Sequence, residues 1–226
     1  MNLCNWCKKY GTITGIFLSL LAFCACSPDL TVQATGVDGA TISFSTGFSK
    51  STEQTLKSIV GAVSGEANDT APLFNANDIS AMLKATGLQQ VSANSKDATT
   101  LFASGSARSI SEITLAKTGI LSRTKKSLTL TLGSIQFQAL YAMLDEESQA
   151  YFDLMMIPAL SDEKMTPAEY NELLASVYGQ TFADEITGGS FSMTLISPDG
   201  KKRTTAKVTL GEILSLTAEK SWTVNW

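Results

Sequence analysis

The densest group of side chains able to do acid–base chemistry is acidic: Asp145, Glu146, Glu147 and Asp153, with Asp162 and Glu163 further on. Paired carboxylates cleave glycosidic bonds when they face each other about 5–9 Å apart, and clustered ones hold calcium. The spacing here argues against both. Consecutive helical residues splay by about 100°, so Asp145, Glu146 and Glu147 cannot all converge, and no Asp-x-Asp-x-Asp-Gly loop is present. The group reads as a solvated helix face. Met143, Met155, Met156 and Met165 form a second cluster. Thioethers serve either as an adaptable binding surface or as filler for an irregular core, and core filling is the expectation. Trp222 and Trp226 alternate on a C-terminal segment and offer either a recognition edge or a lid on the core. Gly188-Gly189 fits no phosphate-binding or dinucleotide pattern and reads as a turn.

The missing residue types narrow the chemistry further. The chain has no histidine, and its four cysteines are Cys4, Cys7, Cys24 and Cys26. From residue 27 onward there is thus no thiol nucleophile, no Ser-His-Asp or Cys-His arrangement, no disulfide, and no His- or Cys-based metal or haem site. No catalytic residues, cofactor or metal are expected. Carboxylate-pair or lysine-dependent (Ser-Lys) hydrolysis of envelope polymers survives as the alternative activity.

Those four cysteines fall in a segment built for export. Lys8 and Lys9 are its only charges, and an apolar eleven-residue run follows from Ile13 to Phe23. As a helix that run reaches roughly 16 Å, about half of a hydrocarbon core, which is short for a permanent span. It ends Leu21-Ala22-Phe23-Cys24-Ala25-Cys26-Ser27-Pro28. This end resembles the lipobox of bacterial lipoproteins, in a relaxed form similar to that of spirochaete lipoproteins. The resemblance implies cleavage before a cysteine that carries diacylglycerol and acyl chains such as palmitate. Cys26 is preferred because small Ala25 precedes it. Cys24 is the alternative, with the better Leu21-Ala22 upstream but bulky Phe23 at the scissile bond. The implied protein is held at the inner or outer membrane of a bacterial cell envelope with its domain outside the cytoplasm.

Losing residues 1–25 removes Lys8 and Lys9 from 17 basic side chains and none of the 21 acidic ones, so the net charge moves from −4 to about −6. An acidic domain is a poor counterion for phosphate backbones, which sets nucleic acid aside as a partner. Lys125-Lys126 and Lys201-Lys202-Arg203 read as charged caps on hairpin turns.

The remaining elements follow from periodicity. Residues 26–39 read as a lipidated N-terminus and tether, with a first strand as the other option, and 40–226 as an α+β domain. Alternating strands are expected at 41–47, 127–133 and 221–226, two more within 88–106 about a turn near Asn94–Asp97, and a hairpin about Ser197-Pro198-Asp199-Gly200. Helical spacing predicts helices from about Lys50 to Gly65 and from Asn77 or Asp78 to Gly87, and one long helix closed by Pro158. Another is opened by Thr166-Pro167-Ala168-Glu169, a capping box with proline at N1. Residues 66–72 read as a loop, and 108–126 as a polar connection with room for a short helix. Strand glycine to helix-stop glycine is 40 residues from Gly47 to Gly87 and 46 from Gly133 to Gly179. That similarity suggests two copies of a β-α-α-β-β unit, 40–118 and 127–226, around a mainly antiparallel sheet. The expected protein is a tethered, non-enzymatic binding or structural domain for a protein, lipid or small ligand.

Overall fold

The computed structural model describes residues 27–64, 75–97, 99–144, 146–161, 164–216 and 218–226. The expected export signal with Cys24 and Cys26, the expected loop at 66–72, and Asp145, Asp162 and Glu163 lie outside the described residues, as does the side chain of Glu147.

The fold is α+β, and its main sheet is mixed. The segment read as a tether forms β1 (Asp29–Thr35), because Leu30, Val32 and Ala34 alternate inward and are buried. A turn with Gly36 at φ +52 leads into β2 (Gly39–Gly47), antiparallel to β1. Two helices follow, α1 (Lys50–Ser64) and α2 (Ala76–Ala85). The N-cap of α2 is Asn75, whose side chain accepts from the Asn77 N–H, two residues before the expected start. The hairpin β3 (Gln89–Asp97) and β4 (Thr100–Ala107) then returns β4 onto β2. Its turn falls after Asp97, later than the polar Asn94–Asp97 run suggested.

A second hairpin, β5 (Leu121–Arg123) and β6 (Ser127–Leu132), opens the other half of the chain. The polar connection before it holds a 3₁₀ turn at Ile110–Glu112 and α3 (Thr114–Lys117). The expected long helix is two, α4 (Ser134–Tyr141) and α5 (Glu146–Leu154). The break is stable because the amides of Met143 and Leu144 tighten onto the carbonyls of Leu140 and Tyr141. The Gln149 amide also donates to the carbonyls of Tyr141 and Leu144, satisfying groups that a helix end leaves open. A 3₁₀ turn at Pro158–Leu160 follows.

α6 (Pro167–Tyr178) begins with the expected capping box. Gly179 at φ +88 ends it and leads directly into a further helix, α7 (Gln180–Gly188). The hairpin β7 (Ser190–Ile196) and β8 (Arg203–Thr209) turns where expected, its tip fastened by Ser197 Oγ donating to Asp199 at 2.6 Å. A second capping box, Thr209 with Glu212, starts α8 (Leu210–Leu214), and β9 (Lys220–Asn225) closes the chain against β6.

β7 lies parallel to β1, giving a six-stranded sheet in the order β3-β4-β2-β1-β7-β8, with β5-β6-β9 as a smaller antiparallel sheet. The two halves therefore pair differently. β4 folds back onto β2 within the first half, whereas β6 takes β9 as its partner and β7 takes β1. Both sheets and the helices share one core, in which Leu128, Leu130, Leu132 and Val224 join Phe191, Met193 and Leu195 with Phe137, Tyr170 and Ile186. Among the described residues no helix is long and apolar enough to cross a membrane.

Candidate functional site

The end of α5 is where a side-chain arrangement of functional interest assembles. Its last carbonyls have no intrahelical partners, and two tyrosines of α6 supply them. The buried Tyr170 hydroxyl donates to Met155 O at 2.9 Å, and the Tyr178 hydroxyl donates to Leu154 O at 2.6 Å. Removal from water raises the Tyr178 hydroxyl above the ordinary tyrosine range, so it stays a donor throughout the physiological range. Pinned in this way, the chain turns sharply at Met156, which sits at φ +49. Left-handed backbone at a residue with a long side chain is uncommon and usually falls to glycine at a helix end.

The turn places Met156 in the wall of a groove of about 560 Å³, together with Gln138 and Tyr141 of α4, Phe152 of α5, Leu160 and Met165. That volume lies within the range of small-molecule and side-chain pockets. Tyr141 and Phe152 meet edge to face, with centroids 5.8 Å apart and planes at 87°. At the rim, the Tyr141 hydroxyl donates to Asp153 Oδ1 at 2.9 Å. Partial desolvation, and then the Asp153 carboxylate beside it, raise the Tyr141 hydroxyl above its usual range. The groove is thus mostly apolar, with Gln138 and Ser161 as further polar lining and one carboxylate–phenol pair on its edge. It can take an apolar moiety and offer a hydrogen-bond acceptor or a cation partner at one side.

The methionine cluster divides at this point. Met155 is buried in the core, Met156 and Met165 line the groove, and Met143 is largely exposed. Of the acidic group, Asp153 lies on the groove rim and Glu146 is exposed on α5. Asp153 is the one carboxylate among the described residues that line the groove. No group of three or more acidic side chains stands close enough to hold a metal ion among the described residues.

Trp222 and Trp226 both pack against the core and are half-buried. Trp226 is fixed in place: its indole N–H donates to Lys125 O at 3.1 Å, its backbone N–H donates to Lys126 O at 2.9 Å, and the Arg123 guanidinium lies 5.6 Å from its ring centroid. Arg123 in turn donates to the carbonyls of Thr35 and Gly36, at 2.9 and 2.8 Å, and to Gly39 O. This clamp ties the β5–β6 hairpin to the β1–β2 turn, with Trp226 as one of its members. A concavity of about 380 Å³ beside it is lined by Asp38, Ser109, Ser111, Ser122 and Arg123. Three of that guanidinium's hydrogen bonds already go to backbone carbonyls. The two lysine clusters sit on the β5–β6 and β7–β8 turns, as expected.

A sequence reading could not find Tyr141, Tyr170, Tyr178 or Arg123, whose hydrogen-bond partners lie 12 to 88 residues away. The α8 capping box was visible as Thr209-Leu210-Gly211-Glu212 and was missed. No protein-family model matches the chain, and no curated protein or solved structure matches it either.

Proposed function

We propose that this protein is a lipid-anchored bacterial cell-envelope protein that acts as a non-catalytic binding domain, with the groove between α4, α5 and α6 receiving the apolar part of its ligand. The observation that carries the anchor is Ala25-Cys26 at the end of an apolar run too short to span a bilayer. Each methylene buried in the bilayer contributes about 0.8 kcal/mol, so two or three long acyl chains hold a protein where one would exchange. The short segment from Cys26 to Asp29 then enters β1 directly. In this reading the domain sits close to the membrane surface and is not extended from it on a long tether.

The binding role rests on the groove: an apolar lining, a volume suited to a ligand, and a side chain kept in strained backbone at its wall. Labelling cells with an alkynyl fatty acid tests the anchor. Wild type and Cys24→Ala are expected to take up label and Cys26→Ala to lose it. Label retained in Cys26→Ala and lost in Cys24→Ala moves the anchor to Cys24, and an unlabelled wild type removes the lipoprotein reading.

A further inference from the structure

The six-stranded sheet buries one face and leaves the other to solvent, and the exposed face has an unusual composition. Strand register brings side chains into rows across it. Asp29, Ser45, Phe102 and Asn94 are successive partners on β1, β2, β4 and β3, and Thr31, Ser43, Ser104 and Ser92 form the next row. At the spacing of neighbouring strands, each row runs about 14 Å from β1 to β3. Phe102 stands in the middle of this lattice with 49% of its surface exposed. A shallow concavity of about 290 Å³ is centred there, lined by Asp29, Ser43, Ser45, Ser92, Asn94 and Ser104 around the ring.

These six polar side chains make no hydrogen bond to any other described residue. Elsewhere on the sheets, comparable hydroxyls pair with one another, as Thr129 does with Thr223 at 2.8 Å and Thr131 with Ser221 at 3.1 Å. The groups around Phe102 are therefore uncommitted donors and acceptors surrounding one aromatic face.

We propose that this surface binds an extended, neutral saccharide chain. A pyranose has an apolar face of C–H bonds, which suits the electron-rich face of an aromatic ring, and a rim of hydroxyls that both donate and accept. Asp29 supplies a charged acceptor, which makes the stronger class of hydrogen bond, Asn94 supplies a paired donor and acceptor, and the serines supply either. Other occupants fit less well. A protein or lipid partner calls for a contiguous apolar patch, and the other exposed large apolar side chains, Val37, Ile135, Met143 and Val177, lie off these rows. An anionic polymer meets the Asp29 carboxylate in a chain of net charge −4. The flatness of the row suits a chain lying across strands over a single sugar held in a socket. This site is separate from the methionine-lined groove and does not depend on it.

The test is co-sedimentation of the full chain, in detergent, with insoluble chitin and with microcrystalline cellulose, using silica particles as the sugar-free control. The wild type is expected to sediment with at least one of the two glycans and to be released by its soluble oligosaccharide. Phe102→Ala is expected to reduce the bound fraction about tenfold and Asn94→Ala severalfold, with Phe102→Tyr retaining binding. Met156→Ala, in the groove, is expected to bind as wild type does. All three positions lie at the surface or in the groove wall, and a wild-type circular dichroism spectrum for each variant separates lost binding from lost folding. Failure of the wild type to sediment with either glycan beyond the silica control overturns the proposal. So does a folded Phe102→Ala that binds as well as wild type.

Discussion

Replacing Met156 with glycine and, separately, with alanine separates backbone strain from side-chain contact at the groove. Both substitutions remove the same half-buried thioether, so the difference between them isolates the backbone. Met156 has φ +49, and for any residue with a Cβ this left-handed conformation costs roughly 1–2 kcal/mol. Glycine avoids that cost, but its greater freedom in the unfolded chain takes back about 0.5–1 kcal/mol relative to alanine. Met156→Gly is therefore expected to be more stable than Met156→Ala by about 0.5–1 kcal/mol. At a right-handed helical position the order is reversed by a similar amount. Urea unfolding followed by circular dichroism, with a common slope for the two variants, resolves a difference of that size. An alanine variant equal to or more stable than the glycine variant refutes the argument. It would mean either that the turn after α5 relaxes to right-handed backbone, or that the tyrosine bonds to Leu154 and Met155 do not hold it. The same pair bears on function, since strain kept at a site where glycine would be easier is expected where the side chain is needed.

Two further outcomes follow from the hydrogen bonds around this site. Tyr170→Phe leaves the buried Met155 carbonyl without its donor and is expected to lower stability by about 1–3 kcal/mol in urea unfolding, with little change in far-ultraviolet circular dichroism. The capping box of α6 gives a pH signature. The Thr166 backbone N–H, and then its hydroxyl, bond to the Glu169 carboxylate and hold it below the ordinary glutamate range. A carboxyl depressed in the folded state contributes stability that is complete above its unfolded value and lost as pH falls through its folded value. Glu169→Gln is thus expected to unfold at lower urea than wild type near neutral pH and to converge on it in acid. Parallel curves across the whole range would count against the assignment.

Much of the local architecture was legible because it depends on neighbours in sequence. Strands with clean alternation, such as Ser127–Leu132 and the hairpin about Ser197–Gly200, declare a buried face without reference to the partner that covers it. The Thr166 capping box is also a local exchange of hydrogen bonds, and it appears where three residues of spacing placed it. The absence of histidine, and of cysteine beyond residue 26, limited the chemistry without any fold at all. The break between α4 and α5 was not legible, because the apolar spacing continues across it. What ends α4 is a set of tight turns and the reach of Gln149, a competition decided only once the surrounding packing exists.

The sequence by itself determined the absence of histidine, and of cysteine beyond residue 26, the α+β class and the boundaries of the cleanly periodic elements, since each follows from composition or from contacts within a turn or two. Only the tertiary structure decided that residues 29–35 are a strand at the centre of the main sheet, with β2 on one side and β7 parallel on the other. It alone assigned Trp226 to a clamp with Arg123 and split the methionines between core and groove. The physical reason is the same in each case. Alternation and helical period say which side of an element is apolar, whereas which surface covers that side depends on chain closure over many residues, and no local pattern records it.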